Sequence, residues 1–218
     1  MLRLALRWSA VVLVLLAAVL TVNTLRRTSQ QIVVVRHGET AWSRERRHTG
    51  RTDLPLTPEG REQALTLVAP LGGLHFAAVF VSPLQRARQT CDIAGFADLA
   101  VVDPDLVEWD YGEYDGLTGK EIRERRPGWT LFRDGVVGGE TIDEVAVRAQ
   151  RVIARVRPID GDVLLFGHGH QLRILTALWL EFPAVAAQHL QLTTASPSTL
   201  GFEQDWTALL SWNGLQKG

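Results

Sequence analysis

The sequence has few of the features that mark a covalently stapled or metal-stapled fold. Cys91 is the only cysteine among 218 residues. That excludes an intrachain disulfide and a zinc site built on cysteines, and it predicts a small, buried apolar side chain at this position. Neither sign of charge dominates: 23 Lys and Arg stand against 24 Asp and Glu, a formal net charge of -1. Bulk charge therefore makes no case for nucleic-acid binding, and any hold on an anion must come from locally placed arginines. There is no internal repeat and no low-complexity tract. A hydrophobic share of 46% and a charged share of 22% suit one globular domain with a real core.

One long apolar run breaks the pattern. Trp8 to Leu25 carries no charge; Arg3 and Arg7 precede it, and Arg26 and Arg27 follow. At 18 residues it is just long enough to span a bilayer. No small-x-small cleavage site precedes Arg26, so an uncleaved anchor is favoured over a removed signal peptide. A start site upstream of the true protein is the third reading, and it would leave the protein in the cytoplasm. Basic residues on both flanks leave the orientation open. The expectation is a hydrophobic helical segment over residues 1–27, with membrane contact through residues 8–25, a membrane-anchored localisation of unassigned side, and a catalytic domain over residues 28–218.

Downstream, short apolar runs alternate with helix signals. Ile32-Val33-Val34-Val35, Ala78-Val79-Phe80-Val81, Leu99 to Val102 and Asp162 to Phe166 read as strands, the first and last too apolar for one wet face. Thr57-Pro58-Glu59 opens a helix expected to end near Pro70, and Ser82-Pro83 opens one to about Ala94. Thr118 to Arg126 reads as a short helix. Thr141-x-x-Glu144 is a capping box before a helix to about Val156, and another helix runs from about Gln171 to Leu180. Two or three strand-like runs close the chain. This alternation predicts an α/β fold: a three-layer αβα sandwich around a mostly parallel sheet with an antiparallel edge.

Ligands of such sheets bind beyond the carboxyl ends of the strands, and three strand ends carry unusual residues. The first runs into Arg36-His37-Gly38-Glu39-Thr40, the second into Ser82-Pro83-Leu84-Gln85-Arg86, and the late one into Gly167-His168-Gly169-His170. Arginine presents a planar fork that matches phosphate oxygens in pairs and keeps its charge. Two of them offset charge developing on a transferring phosphoryl group. Neutral imidazole is a good nucleophile near neutral pH. The histidines lie on separate strand ends without short ligand spacing, so no metal and no other cofactor is expected.

These segments resemble the histidine phosphatase (phosphoglycerate mutase-like) superfamily. The resemblance rests on Arg36 to Thr40, Ser82 to Thr90, Glu108-Trp109-Asp110-Tyr111-Gly112-Glu113-Tyr114-Asp115-Gly116, Gly138 to Thr141, and His168-Gly169, in that order. It implies that His37 becomes phosphohistidine, that Arg36, Arg86 and His168 clamp the phosphoryl group, and that Glu108 is the general acid and later the base. A carboxyl beside a phosphate anion and partly out of water is held protonated near neutral pH, as such a donor must be. It also implies that Ser43, where the family often has Asn, Thr49, Gly50 and Gly169 sit at the substrate. Residues 36–43, 48–53, 129–135 and 168–173 look most like the branch of acid phosphatases and sedoheptulose-1,7-bisphosphatase-type sugar phosphatases. That likeness adds Tyr111 and Arg173 as substrate contacts; His170 is read as a supporting or structural residue.

The expected partner is a small-molecule phosphate ester, a sugar phosphate or bisphosphate. The oligomeric state is not readable from the sequence. A mutase must protect phosphohistidine from water, and no insertion stands out as a lid, so hydrolysis is favoured over phosphoglycerate mutase-type transfer. A catalytically silent binding protein is the other alternative; the intact set of His37, Arg36, Arg86, Glu108 and His168 speaks against it. Activity is expected to survive EDTA and to be inhibited by vanadate.

Overall fold

The computed structural model describes residues 29–215. The strands and helices they form are β1 (Ile32–Arg36), α1 (Ala41–Arg44), α2 (Pro58–Leu65), α3 (Val68–Gly72), β2 (Ala78–Val81), α4 (Gln85–Ile93), β3 (Ala100–Val102), α5 (Gly119–Arg125), α6 (Leu131–Asp134), α7 (Ile142–Val156), β4 (Val163–Gly167), α8 (Gly169–Trp179), β5 (Pro197–Glu203) and β6 (Trp206–Ser211). The six strands form one sheet in the order β3-β2-β4-β1-β5-β6. β3, β2, β4 and β1 are parallel; β5 runs antiparallel to β1 and to β6. This is the mostly parallel sheet with an antiparallel edge that the alternation predicts.

The strands sort their side chains by period 2, which makes the fold a sandwich. Ile32 and Val34 of β1, with Val163 and Leu165 of β4, face a core with Val145, Ala149 and Val152 of α7 and Leu172 and Leu175 of α8. Val33, Val35, Leu164 and Phe166 face the other way, against Leu71 of α3 and Ala87 and Cys91 of α4. Cys91 is buried, and burial pushes its thiol up to about 12. Its place in the core and that shift make it an inert packing residue.

The caps read at Thr57 and Thr141 act where expected, the second as a complete capping box; Thr118 and Glu121 form a further box that starts α5. Two helices differ from expectation. The helix after Thr57 ends at Leu65, and α3 restarts at Val68. A continuous helix would need an N–H from Pro70, which proline lacks. α4 begins at Gln85; its N-cap position falls on Leu84, which has no side-chain acceptor, while Ser82 Oγ accepts from Leu84 N at 3.4 Å just before the helix.

The expectation of a transmembrane helix, of membrane contact and of an anchored localisation is corrected. Among the described residues no helix is long and apolar enough to cross a membrane. The longest, α7, has 15 residues, about 22 Å at ~1.5 Å per residue against a hydrocarbon core of ~30 Å. Residues 1–27, which prompted that expectation and the division of the chain, lie outside the described residues.

Candidate active site

β2, β4 and β1 lie side by side and point the same way, so their carboxyl ends share one edge of the sheet. Arg36 pairs with Gly167 across β1 and β4, and Val81 with Phe166 across β2 and β4. The three motifs that follow these strands therefore start within about one residue of the same level.

His37 leaves β1 with its N–H on Gly167 O at 3.1 Å. Gly38 then passes so close to α2 that a Cβ there would sit 2.3 Å from Gly60 O; only glycine fits. The Gly38 N–H donates to Thr90 Oγ1 at 2.9 Å, tying this turn to α4. His37 Nδ1 lies 2.7 Å from Gly38 O. A carbonyl only accepts, so Nδ1 carries the proton and Nε2 keeps its lone pair. Nε2 has no hydrogen-bond partner among the described residues. Burial, then Arg86 and Arg36, holds the ring well below its ordinary pKa of 6.5, so it is neutral.

His168 lies beside it, with ring centroids 5.2 Å apart. Arg86 Nε donates to His168 Nδ1 at 3.1 Å, which puts the ring proton on Nε2; that N–H donates to Ser82 Oγ at 2.7 Å. All three side chains are fully buried. Arg86 also donates to the carbonyls of Thr49, Gly50 and Thr52. Asp115 pins that loop by accepting from Gly50 N, Thr52 N and Thr52 Oγ1. Arg36 is held by one bond, Nη1 to Leu192 O at 2.7 Å; its buried Nε has no partner. A buried guanidinium N–H without an acceptor is costly and marks a place where an anion oxygen would fit.

Glu108 sits over the N-terminus of α8. Its carboxyl accepts from Trp109 N and Gln171 N at 2.9 Å and from His170 N at 3.1 Å. Its loop is tied to α7 by Arg148, which donates to Asp105 O, Val107 O and Glu108 O and pairs with Glu140. A cavity of about 320 Å³ is lined by Arg36, His37 and Glu108; Arg86 and His168, fully buried, are not among its lining residues.

The structure gathers the expected substrate contacts unevenly. Ser43, Thr49, Tyr111, Gly169 and Arg173 line the cavity. The Ser43 hydroxyl donates to Thr40 O and accepts from Thr40 N, closing the cap of α1. Gly50 is packed behind the wall, where a Cβ would meet Trp109 O at 2.7 Å. Arg173 spends two nitrogens on the carbonyls of Ala187 and Gln188. His170, read as a supporting residue, lines the cavity and shares a 2.5 Å hydrogen bond with Tyr111 through Nδ1.

Sequence reasoning passed over four contributors. Ser82 looked like a helix cap. His48 lines the cavity stacked on His170 at 6.2 Å, and Asp115 and Arg148 act through loops. Only His48 carried a usable signal: a titratable side chain within a segment already read as substrate-facing. Among the described residues no group of three or more His, Cys, Asp or Glu side chains could hold a metal ion.

Comparison with known proteins agrees with this geometry. The family described as "Histidine phosphatase superfamily (branch 1)" matches residues 32–214. An acid phosphatase of Mycobacterium tuberculosis is 37% identical over 179 residues, covering 80% of this chain and 88% of the relative. Sedoheptulose 1,7-bisphosphatase of Saccharomyces cerevisiae is also 37% identical over 179 residues, covering 67% of this chain and 66% of the relative. A probable phosphoglycerate mutase of Enterobacter sp. (strain 638) is 35% identical over 190 residues, covering 82% and 88%.

Proposed function

This chain belongs to the histidine phosphatase superfamily, and from that premise we propose that it hydrolyses a phosphomonoester in two steps through His37. In the first, His37 Nε2 attacks phosphorus, the ester P–O bond breaks, and Glu108 gives a proton to the leaving oxygen. In the second, Glu108 takes a proton from water, which attacks phosphorus and breaks the N–P bond. Arg36 and Arg86 offset the charge on the phosphoryl oxygens. His168 acts through Arg86, whose Nε it holds in place. The observation that carries this proposal is the direction of the His37 hydrogen bond: with Nδ1 donating to Gly38 O, the lone pair of Nε2 is free.

The substrate class is a sugar phosphate or bisphosphate. Two things support it: the name of the sedoheptulose bisphosphatase relative, and a cavity whose wall has more arginines than carboxylates and so suits an anionic substrate. The mutase relative keeps phosphoryl return to the substrate as a second reading. Phosphate release from a panel of sugar phosphates and bisphosphates, run beside 3-phosphoglycerate to 2-phosphoglycerate conversion, separates the two. Free phosphate without an acceptor is expected; isomerisation without release would overturn the proposal.

A further inference from the structure

Four arginines line the cavity: Arg36, Arg46, Arg47 and Arg173. Three have protein partners for at least part of the guanidinium. Arg36 donates to Leu192 O, and Arg173 to Ala187 O and Gln188 O; Arg47 pairs with Glu45 and Glu121. The Arg46 side chain has no hydrogen bond or ion pair among the described residues. Glu45, its chain neighbour, turns to Arg47 instead.

The Arg46 side chain is exposed and so open to a ligand; the unusual feature is its backbone. α1 ends in a paired closing motif: Arg46 N–H donates to Ser43 O at 3.2 Å and Arg47 N–H to Trp42 O at 2.9 Å. The residue that turns the chain there adopts the left-handed conformation, normally a glycine position. Here it is Arg46, with φ of 59°. A side chain with a Cβ is disfavoured in that conformation. Such outliers persist where the surroundings hold them, and they gather at ligand sites.

We infer that Arg46 is a specificity residue that binds a second anionic group of the substrate, a phosphate or carboxylate away from the ester being cleaved. This rests on the phosphatase reading above and narrows it to substrates with two anionic ends. The only carboxylate among the cavity-lining residues is Glu108, which already accepts three backbone N–H groups, so a second negative charge beside Arg46 meets attraction there and no other carboxylate on the wall.

The test compares two aryl phosphates that differ only in a ring carboxylate. The preference for the carboxylated ester, as a ratio of kcat/KM values, should fall about tenfold in R46A and R46G, equivalent to ~1.4 kcal/mol, and be largely kept in R46K. In the wild type the same ratio should shrink with added salt. R46G should melt above R46A, since glycine relieves the left-handed turn; that separates loss of charge from loss of fold. Equal losses on both esters, or an unchanged ratio, would overturn the assignment. If the wild type turns over neither ester, the phosphatase reading is what fails; calorimetric binding of the same two compounds to wild type and R46A then decides Arg46 by the same tenfold criterion.

Discussion

Ser82→Ala isolates the hydrogen-bond chain that aligns Arg86. The substitution removes the oxygen that accepts His168 Nε2–H at 2.7 Å, between two side chains with no exposed surface. The ring cannot recover by moving its proton to Nδ1. That nitrogen faces Arg86 Nε at 3.1 Å, and a guanidinium N–H only donates. One buried N–H is left without an acceptor, or Arg86 must shift. Stranding a buried donor costs about 1–3 kcal/mol, and each kcal/mol lowers the melting temperature of a domain this size by about 2–4 °C. Because Arg86 also holds the carbonyls of Thr49, Gly50 and Thr52, a shift would loosen the loop behind the cavity and lower kcat more than it raises KM. Calorimetry measures the first effect and steady-state kinetics the second. Ring-nitrogen NMR reads the tautomer directly: wild-type His168 should carry its proton on Nε2. An unchanged melting temperature together with unchanged kcat, or a wild-type Nδ1–H tautomer, would refute the reasoning.

Three further outcomes follow from the same geometry. Burial, reinforced by Arg86, holds His37 and His168 well below 6.5. Burial does the same to His170. The unfolded chain therefore takes up protons below pH 6.5 that the folded chain does not, and stability falls as pH falls, by roughly 4 kcal/mol for the three rings between pH 7.5 and 5.5; urea titrations at both values check it. For the same reason kcat/KM should not lose half its value at pH 6.5 through protonation of His37. Gly50→Ala would put a Cβ 2.7 Å from the Trp109 carbonyl, which cannot swing away as a side chain would. The loop that receives Arg86 must move, and both melting temperature and kcat/KM should drop.

The architecture was legible where local chemistry decides it. Apolar β1 and β4 are buried on both faces, the Thr141 capping box starts its helix as read, and the short helix expected from Thr118 is present. The convergence of Arg36, His37, Arg86 and His168 followed from strand ends alone, because parallel neighbours bring their carboxyl ends to one edge. What escaped notice acts at long range. Ser82 precedes a proline and a helix, the local pattern of a cap, yet it bonds a histidine 86 positions away. Ser43 is the reverse case: a substrate contact on resemblance, it serves its own short helix as a cap partner. Arg148 lies on the inner face of a helix read correctly, and the carbonyls of the Glu108 loop that it reaches have no signature in sequence. Arg46 reveals itself only through its φ angle and its lack of partners.

The most direct measurement is the chemical state of His37 during turnover. Enzyme mixed with phosphorus-labelled substrate and quenched in base within a turnover should carry acid-labile, base-stable phosphate on the peptide containing His37. His37→Ala should show neither the label nor turnover. Label on another residue, or phosphate release by the His37→Ala protein at the wild-type rate, would contradict attack by His37 Nε2.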